Sequence, residues 1–229
     1  MPRKPHQHAH KHGASIGMTR PSPDQAPPQP LVLGFDTSGT WIRAALLAGA
    51  HPLAQTDQPM ARGQGEQLLP ALEALLLEAG KTWASLDAIG VGTGPGNFTG
   101  IRISVATARG LALGLSIPAI GISRFEALAL DGPALPRLLP APRGMAWQQH
   151  PGHAPALVNP AMLDRTHIAE PGDFPATDTT PPAHPLAVAI ARLAATRLRD
   201  ATDIERPKPL YLRAADAAPA RDTAPPLLD

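Results

Sequence analysis

Residues 92–102 read GTGPGNFTGIR. The stretch follows the apolar run LDAIGVG (86–92) and opens Thr99–Leu115, a segment that is apolar or small at almost every position. A glycine-rich turn between a buried strand and a helix marks an α/β unit, because the helix carries the chain back across the sheet. Such turns also cradle phosphates. The two standard phosphate fingerprints fail here. No frame through Gly90, Gly92, Gly94 or Gly96 supplies the lysine of G-x-x-x-x-G-K-[ST], and G-x-G-x-x-G ends on Asn97 or Thr99. Two readings stay open on local chemistry. The amides at the helix N-terminus can hold an anion, or the glycines can serve a tight turn in which strand and helix pack closely.

Working outward, LVLGFDTS (31–38) is a short apolar run ending in Asp-Thr-Ser. WIRAALLAG and HPLAQTDQ follow as two further strands joined by a tight turn at Gly49. EQLLPALEALLLEAG places Leu68, Leu72, Leu75, Leu76 and Ala79 at helical spacing and stops at Gly80, a residue suited to the end of a helix. After the glycine turn and its helix come PAIGIS, a fifth strand, and RFEALAL, the start of a third helix. The order is β-β-β-α-β-α-β-α, which predicts an α/β layer with a mixed sheet over residues 31–130.

The flanks differ. Residues 1–30 hold seven prolines, the alternating His6, His8, His10 and His12, and few bulky apolar side chains. Such a composition cannot offset the entropy of ordering, so a disordered tail is expected. The histidine run reads either as a divalent-metal ligand set or as a solvated tail. Residues 131–229 contain 17 prolines and predict a reduced, loop-rich second lobe. Three pieces stand out in it: RGMAWQQ as a strand, PLAVAIARLAATRLR as a helix, and PLYLR as a last strand or anchoring segment.

Composition narrows the function classes. The chain of 229 residues has no cysteine, which excludes disulfides and thiolate metal sites. No apolar run approaches the roughly 20 residues that span a bilayer, and the start lacks the apolar segment of a signal peptide. No membrane partner and a cytoplasmic location are expected. Net charge is +1, with +3 in the tail and −2 in the remaining 199 residues. A slightly acidic body offers no surface that tracks phosphates, so direct binding of nucleic acid by this chain alone is not expected.

The two long helices are too apolar for one sheet. A helix on a sheet needs one apolar stripe. On Thr99–Leu115 only Arg102 and Arg109 are charged, and Leu77 falls near the glutamates of the earlier helix. A second surface is implied, either the rest of the monomer or another chain. The favoured expectation is a helical interface in which Leu72, Leu75, Ile101, Val105, Ala108 and Ala112 bury against a partner.

LVLGFDTS, RGQGEQLLPALEALLLEAG, the run from Leu86 to Ser123 and PLYLR closely resemble the TsaB (YeaZ) family. That family is the dimerisation subunit of the bacterial complex making threonylcarbamoyladenosine in tRNA. The resemblance implies an actin/hexokinase/Hsp70-like two-lobe fold and a non-catalytic role without cofactor or metal. It implies pairing with a TsaD-like catalytic subunit through the first two helices, joined by a TsaE-like ATPase, with tRNA reached only through the complex. A homodimer is a further form it allows. Asp36, Thr37 and Ser38 match the first phosphate loop of the superfamily. With Gly94, Gly96 and Thr99 they mark either a relic nucleotide site or, for Asp36, a cap on the strand end. The catalytic paralogue carries H-x-x-x-H on its first helix; an ungapped match puts Gln64 and Leu68 there, neither a competent metal ligand pair. The second lobe departs from the family, with PAPRGMAWQ where relatives commonly read like DARRGEVYW.

Two other classes compete with this one. A glycoprotease-like peptidase needs a base beside Ser38, Ser104 or Ser123, and no histidine lies near them in sequence. A small-molecule kinase of the same superfamily lacks the phosphate-loop and catalytic carboxylate signals.

Overall fold

A computed structural model describes residues 29–200 and 203–212. All but the last two residues of the expected tail lie outside that range, as do residues 213–229. The first sheet contains β1 (Leu31–Asp36), β2 (Trp41–Ala48), β3 (His51–Pro59), β4 (Ala88–Gly92) and β5 (Ala119–Ile122). Its order is β3-β2-β1-β4-β5. β2 runs antiparallel to both β1 and β3, while β1, β4 and β5 are parallel, so the sheet is mixed as the sequence predicts. Helices α1 (Gln64–Glu78), α2 (Phe98–Leu115) and α3 (Arg124–Ala129) fall in the expected order.

Strand alternation divides the core in two. Leu31, Leu33 and Phe35 of β1, with Ile42, Ala44 and Leu46 of β2, point to the face covered by α1 and α2. Val32, Ala45 and Leu47 point to the other face. That face is covered by α4 (Leu186–Asp200), which comes from the second half of the chain. The strands of the two sheets lie on either side of residue 130 in sequence, and α4, from the later part, packs on the first sheet. Two glycines explain why α4 sits so close. Gly34 and Gly90 are register partners on β1 and β4. A Cβ on Gly34 would come within 2.7 Å of Ala187 O and 2.8 Å of Ala191 Cβ, and one on Gly90 within 2.8 Å of Ala194 Cβ. Ala187, Ile190, Ala191 and Ala194 recur at helical spacing, so the stripe of small residues on α4 lies in the shallow trough that the glycines leave.

The second sheet joins β6 (Arg137–Pro140), β7 (Ala146–Gln149), β8 (Ala156–Val158), β9 (His167–Ile168) and β10 (Thr179–Thr180) in the order β10-β9-β6-β7-β8. RGMAWQQ supplies β7, as expected. β6 ends on Pro140, β8 follows Pro155 and β10 precedes Pro181, and a proline supplies no N–H to a ladder. Phe125 and Leu128 of α3 share a small core with Leu139 and Ile168, which ties the second sheet to the first lobe. PLYLR is not a strand over its described residues 209–212; its backbone is anchored by Leu210 N–H donating to Thr93 O at 2.8 Å. Among the described residues no helix is long and apolar enough to cross a membrane.

Candidate functional site

The loop after β1 and the loop after β4 meet at the carboxyl edge of the sheet, where α/β folds place ligands. Asp36, Thr37 and Ser38 are buried. Asp36 Oδ1 accepts from Ser38 N (2.9 Å), Ser38 Oγ (2.8 Å) and Trp41 Nε1 (3.2 Å), so the aspartate caps its own turn. Thr37 N donates to Ser104 Oγ at 2.8 Å, and Thr37 Oγ1 donates to Gly100 O at the same distance. Asn97 caps α2 by accepting from Gly100 N at 3.0 Å, while its own N–H reaches Ser38 O at 2.6 Å.

The glycines of the second loop are there for close approach. A Cβ on Gly100 would fall on Thr37 O, one on Gly96 on Ser38 O, and one on Gly92 on the carboxylate of Asp36, each far inside contact distance. Gly94 has φ +97°, which favours glycine. Of the expected relic-site residues, Asp36, Thr37, Ser38 and Gly96 are thus brought together, but against one another, while Gly94 faces Ile101 and Leu210 O. Thr99 stands exposed in the first turn of α2. The hydroxyls weighed as nucleophiles are tied up too. Ser38 bonds Asp36, Ser104 bonds Thr37, and Ser123 bonds Glu126.

The six residues expected on or beside a partner interface face into this chain. Leu72, Leu75, Ile101, Val105, Ala108 and Ala112 are all buried within this chain, and four of them belong to the core between the helices and the first sheet. The side of each helix that looked like a second buried face is the one that packs on the sheet. The side left open carries Leu69, Glu73 and Leu77 on α1, and Arg102, Ala106, Arg109, Gly110, Leu113 and Gly114 on α2. Leu77 is 79% exposed and Leu113 81%. The signal was present in the sequence: Leu77 shares a face with glutamates, and Leu113 lies four residues after Arg109.

Gln64 and Leu68, at the positions of the paralogue's metal ligands, have structural roles. Gln64 Nε2 donates to Met60 O at 2.8 Å, and Leu68 is buried in the core. A cluster the sequence did not suggest lies between the lobes. Trp41 is flanked by Arg43 and Arg124, whose Cζ atoms are 4.0 and 5.3 Å from its ring. Arg43 Nη1 reaches Glu170 Oε2 of the second lobe at 3.3 Å. Burial pushes the carboxyls of Glu170 and Asp173 up despite the pull of both arginines. These residues are remote in sequence, which is why no local pattern announced them.

Residues 58–143 match the sequence profile of the family described as TsaD: tRNA N6-adenosine threonylcarbamoyltransferase. The chain is 38% identical over 68 residues to the tRNA threonylcarbamoyladenosine biosynthesis protein TsaB of Escherichia coli, covering 30% of this chain and 29% of that protein. It is 34% identical over 98 residues to the protein of the same name from Haemophilus influenzae, covering 43% and 41%. YeaZ from Pseudomonas aeruginosa superposes with a TM-score of 0.62 at 24% identity, over 80% of this chain and all of that one. Over these residues the chain is similar to TsaB and YeaZ proteins. Its two mixed sheets and flanking helices make the α/β fold of that YeaZ structure, in line with the fold class that the sequence resemblance implied. Sequence likeness to the curated TsaB proteins is confined to less than half of their length, and the YeaZ likeness at 24% identity speaks for the fold.

Proposed function

We propose that this chain is a TsaB/YeaZ-type, non-catalytic pairing subunit for threonylcarbamoyladenosine formation in tRNA. It docks on a TsaD-type subunit, which transfers the threonylcarbamoyl group to N6 of the adenosine next to the anticodon. A TsaE-type ATPase joins that pair in the cytoplasm, tRNA is met only by the assembled complex, and this subunit needs no cofactor or metal of its own. Without its partner the same face accommodates a second copy.

The observation that carries this reading is the open face of α1 and α2. Leu77 and Leu113 stand almost free of contact on two adjacent helices. A Cβ on Gly110 or Gly114 would meet nothing within 4 Å, so a helix from outside can approach the backbone closely there. A soluble monomer rarely leaves such a surface uncovered. The non-catalytic part is supported by the two loops closing on each other and by the structural use of Gln64 and Leu68.

The test is reconstitution of tRNA modification with the transferase subunit of the same organism. Leu113→Glu places a charge on the exposed face, so circular dichroism should be unchanged while co-elution with that subunit and tRNA modification are lost. An unpaired buried charge costs several kcal/mol, and each 1.4 kcal/mol is about tenfold in affinity. Unchanged pairing by Leu113→Glu would move the partner to another face. Modification by the transferase subunit without this chain would remove the role altogether.

A further inference from the structure

Three exposed side chains at the start of α2 hold one another in place. The Arg102 guanidinium lies 3.8 Å from the centre of the Phe98 ring, and its Nε donates to Tyr211 Oη at 3.0 Å. The two rings are 5.0 Å apart and tilted by 32°. Phe98 is 52% exposed and Tyr211 42%. Tyr211 reaches this place because residue 210, just before it, is bonded to Thr93 at the end of β4. Its position is therefore set by the sheet. Aromatic rings beside arginine are the side chains that most often dominate binding energy when a partner covers them.

The cluster continues along α2. Phe98, Arg102, Arg109 and Leu113 are spaced by four, seven and four residues and so share one stripe of the helix. Beyond the rings a groove of about 560 Å³ opens between α2 and residues 204–207, lined by Arg109, Leu113, Ile117, Arg206 and Pro207 among others. Arg102, Arg109 and Arg206 form no ion pair with a described residue. The exposed side of α1, by contrast, carries Glu66, Glu73 and Glu78. One helix of the open pair is basic along its outer edge and the other is acidic.

We propose that Phe98, Arg102 and Tyr211, continued by Arg109 and Arg206, form a basic aromatic anchor that takes an acidic helix of the paired subunit. The proposal rests on the pairing reading above and adds which edge of the face fixes the partner's orientation. A partner of related fold that carries its own acidic first helix fits this edge by charge. The two rings keep water from the ion pairs, and the planar guanidinium both stacks and donates side-on to carboxylate. The opposite orientation would set α1 glutamates against acidic side chains and is disfavoured.

Calorimetric titration of the full chain with the TsaD-type subunit of the same organism, at low and high salt, tests this. Tyr211→Ala and Arg102→Glu should each weaken binding at least about tenfold. Arg102→Glu should also flatten the salt dependence, because surface charge pairs are screened by salt. Arg102→Glu breaks the clasp as well as the charge, so Arg109→Glu, which touches neither ring, is measured beside it and should weaken binding and flatten the salt response too. Leu113→Glu reports on the face itself. If it abolishes binding while the Tyr211, Arg102 and Arg109 variants bind like the parent, the anchor is wrong and the pairing reading stands. If none of the four changes binding, the anchor is wrong and the partner lies on another face. Capture of unfractionated tRNA by the chain alone, lost in Arg102→Glu, would make the cluster a nucleic-acid platform and overturn the helical occupant.

Discussion

Gly100 and Gly110 lie ten residues apart on the same helix and obey opposite rules. At Gly100 a methyl group would collide with Thr37 O, a backbone atom fixed by the turn that Asp36 caps. The neighbour cannot rotate away, so Gly100→Ala must displace the β1 loop or the start of α2. Overpacking of this kind costs about 1–3 kcal/mol, which should show as a lowered denaturation midpoint with an unchanged m-value. At Gly110 the same change meets open space and removes backbone freedom from the unfolded chain. Gly110→Ala should therefore raise stability by about 0.5–1 kcal/mol. Equal effects at the two positions would show that neither glycine is placed for the reason given. The sequence motif offered close packing at the glycines as one of two readings. It could not show what they pack against, because Thr37 and Ser38 are some sixty residues away.

At the scale of elements, α4 is the clearest case of a helix whose site was prepared by another part of the chain. Its stripe of Ala187, Ala191 and Ala194 has no purpose without the trough at Gly34 and Gly90. Gly34→Ala should push α4 away from β1 and lower stability by about 1–3 kcal/mol. Gly90→Ala moves the same helix in the same direction, so the double variant should lose less than the sum of the two singles. Additive losses in thermal unfolding would mean that α4 does not move as a unit. The order of strands and helices through residue 130 was legible from apolar periodicity alone. The two sides of α1 and α2 were not. Both helices are so rich in leucine and alanine that the stripe with Leu72, Ala108 and Ala112, which seals the sheet, reads much like a stripe for a partner. Leu77 and Leu113, next to charged residues, were the better guide. The place of α4 was hidden because residues 131–185 separate it from the sheet it covers.

For the whole molecule, the contact between lobes sets how stability varies with pH. Glu170 and Asp173 come from the second lobe and face Arg43 and Arg124 of the first, with Trp41 between the arginines and Asp36 and Asp57 bonded nearby. Two effects compete at these carboxyls. Burial disfavours their charged form, and the guanidinium groups favour it. Burial dominates, so both groups bind protons more tightly folded than unfolded. Their contribution to stability is then complete below the ordinary carboxylate pKa near 4 and is lost as the pH rises through their raised values. Replacing both, as Glu170→Gln with Asp173→Asn, keeps the shape and removes the titration. The unfolding temperature of the double variant minus that of the parent should therefore increase as the pH goes from about 4 toward neutrality. A difference that falls over the same range would mean that the arginines outweigh burial at these two carboxyls.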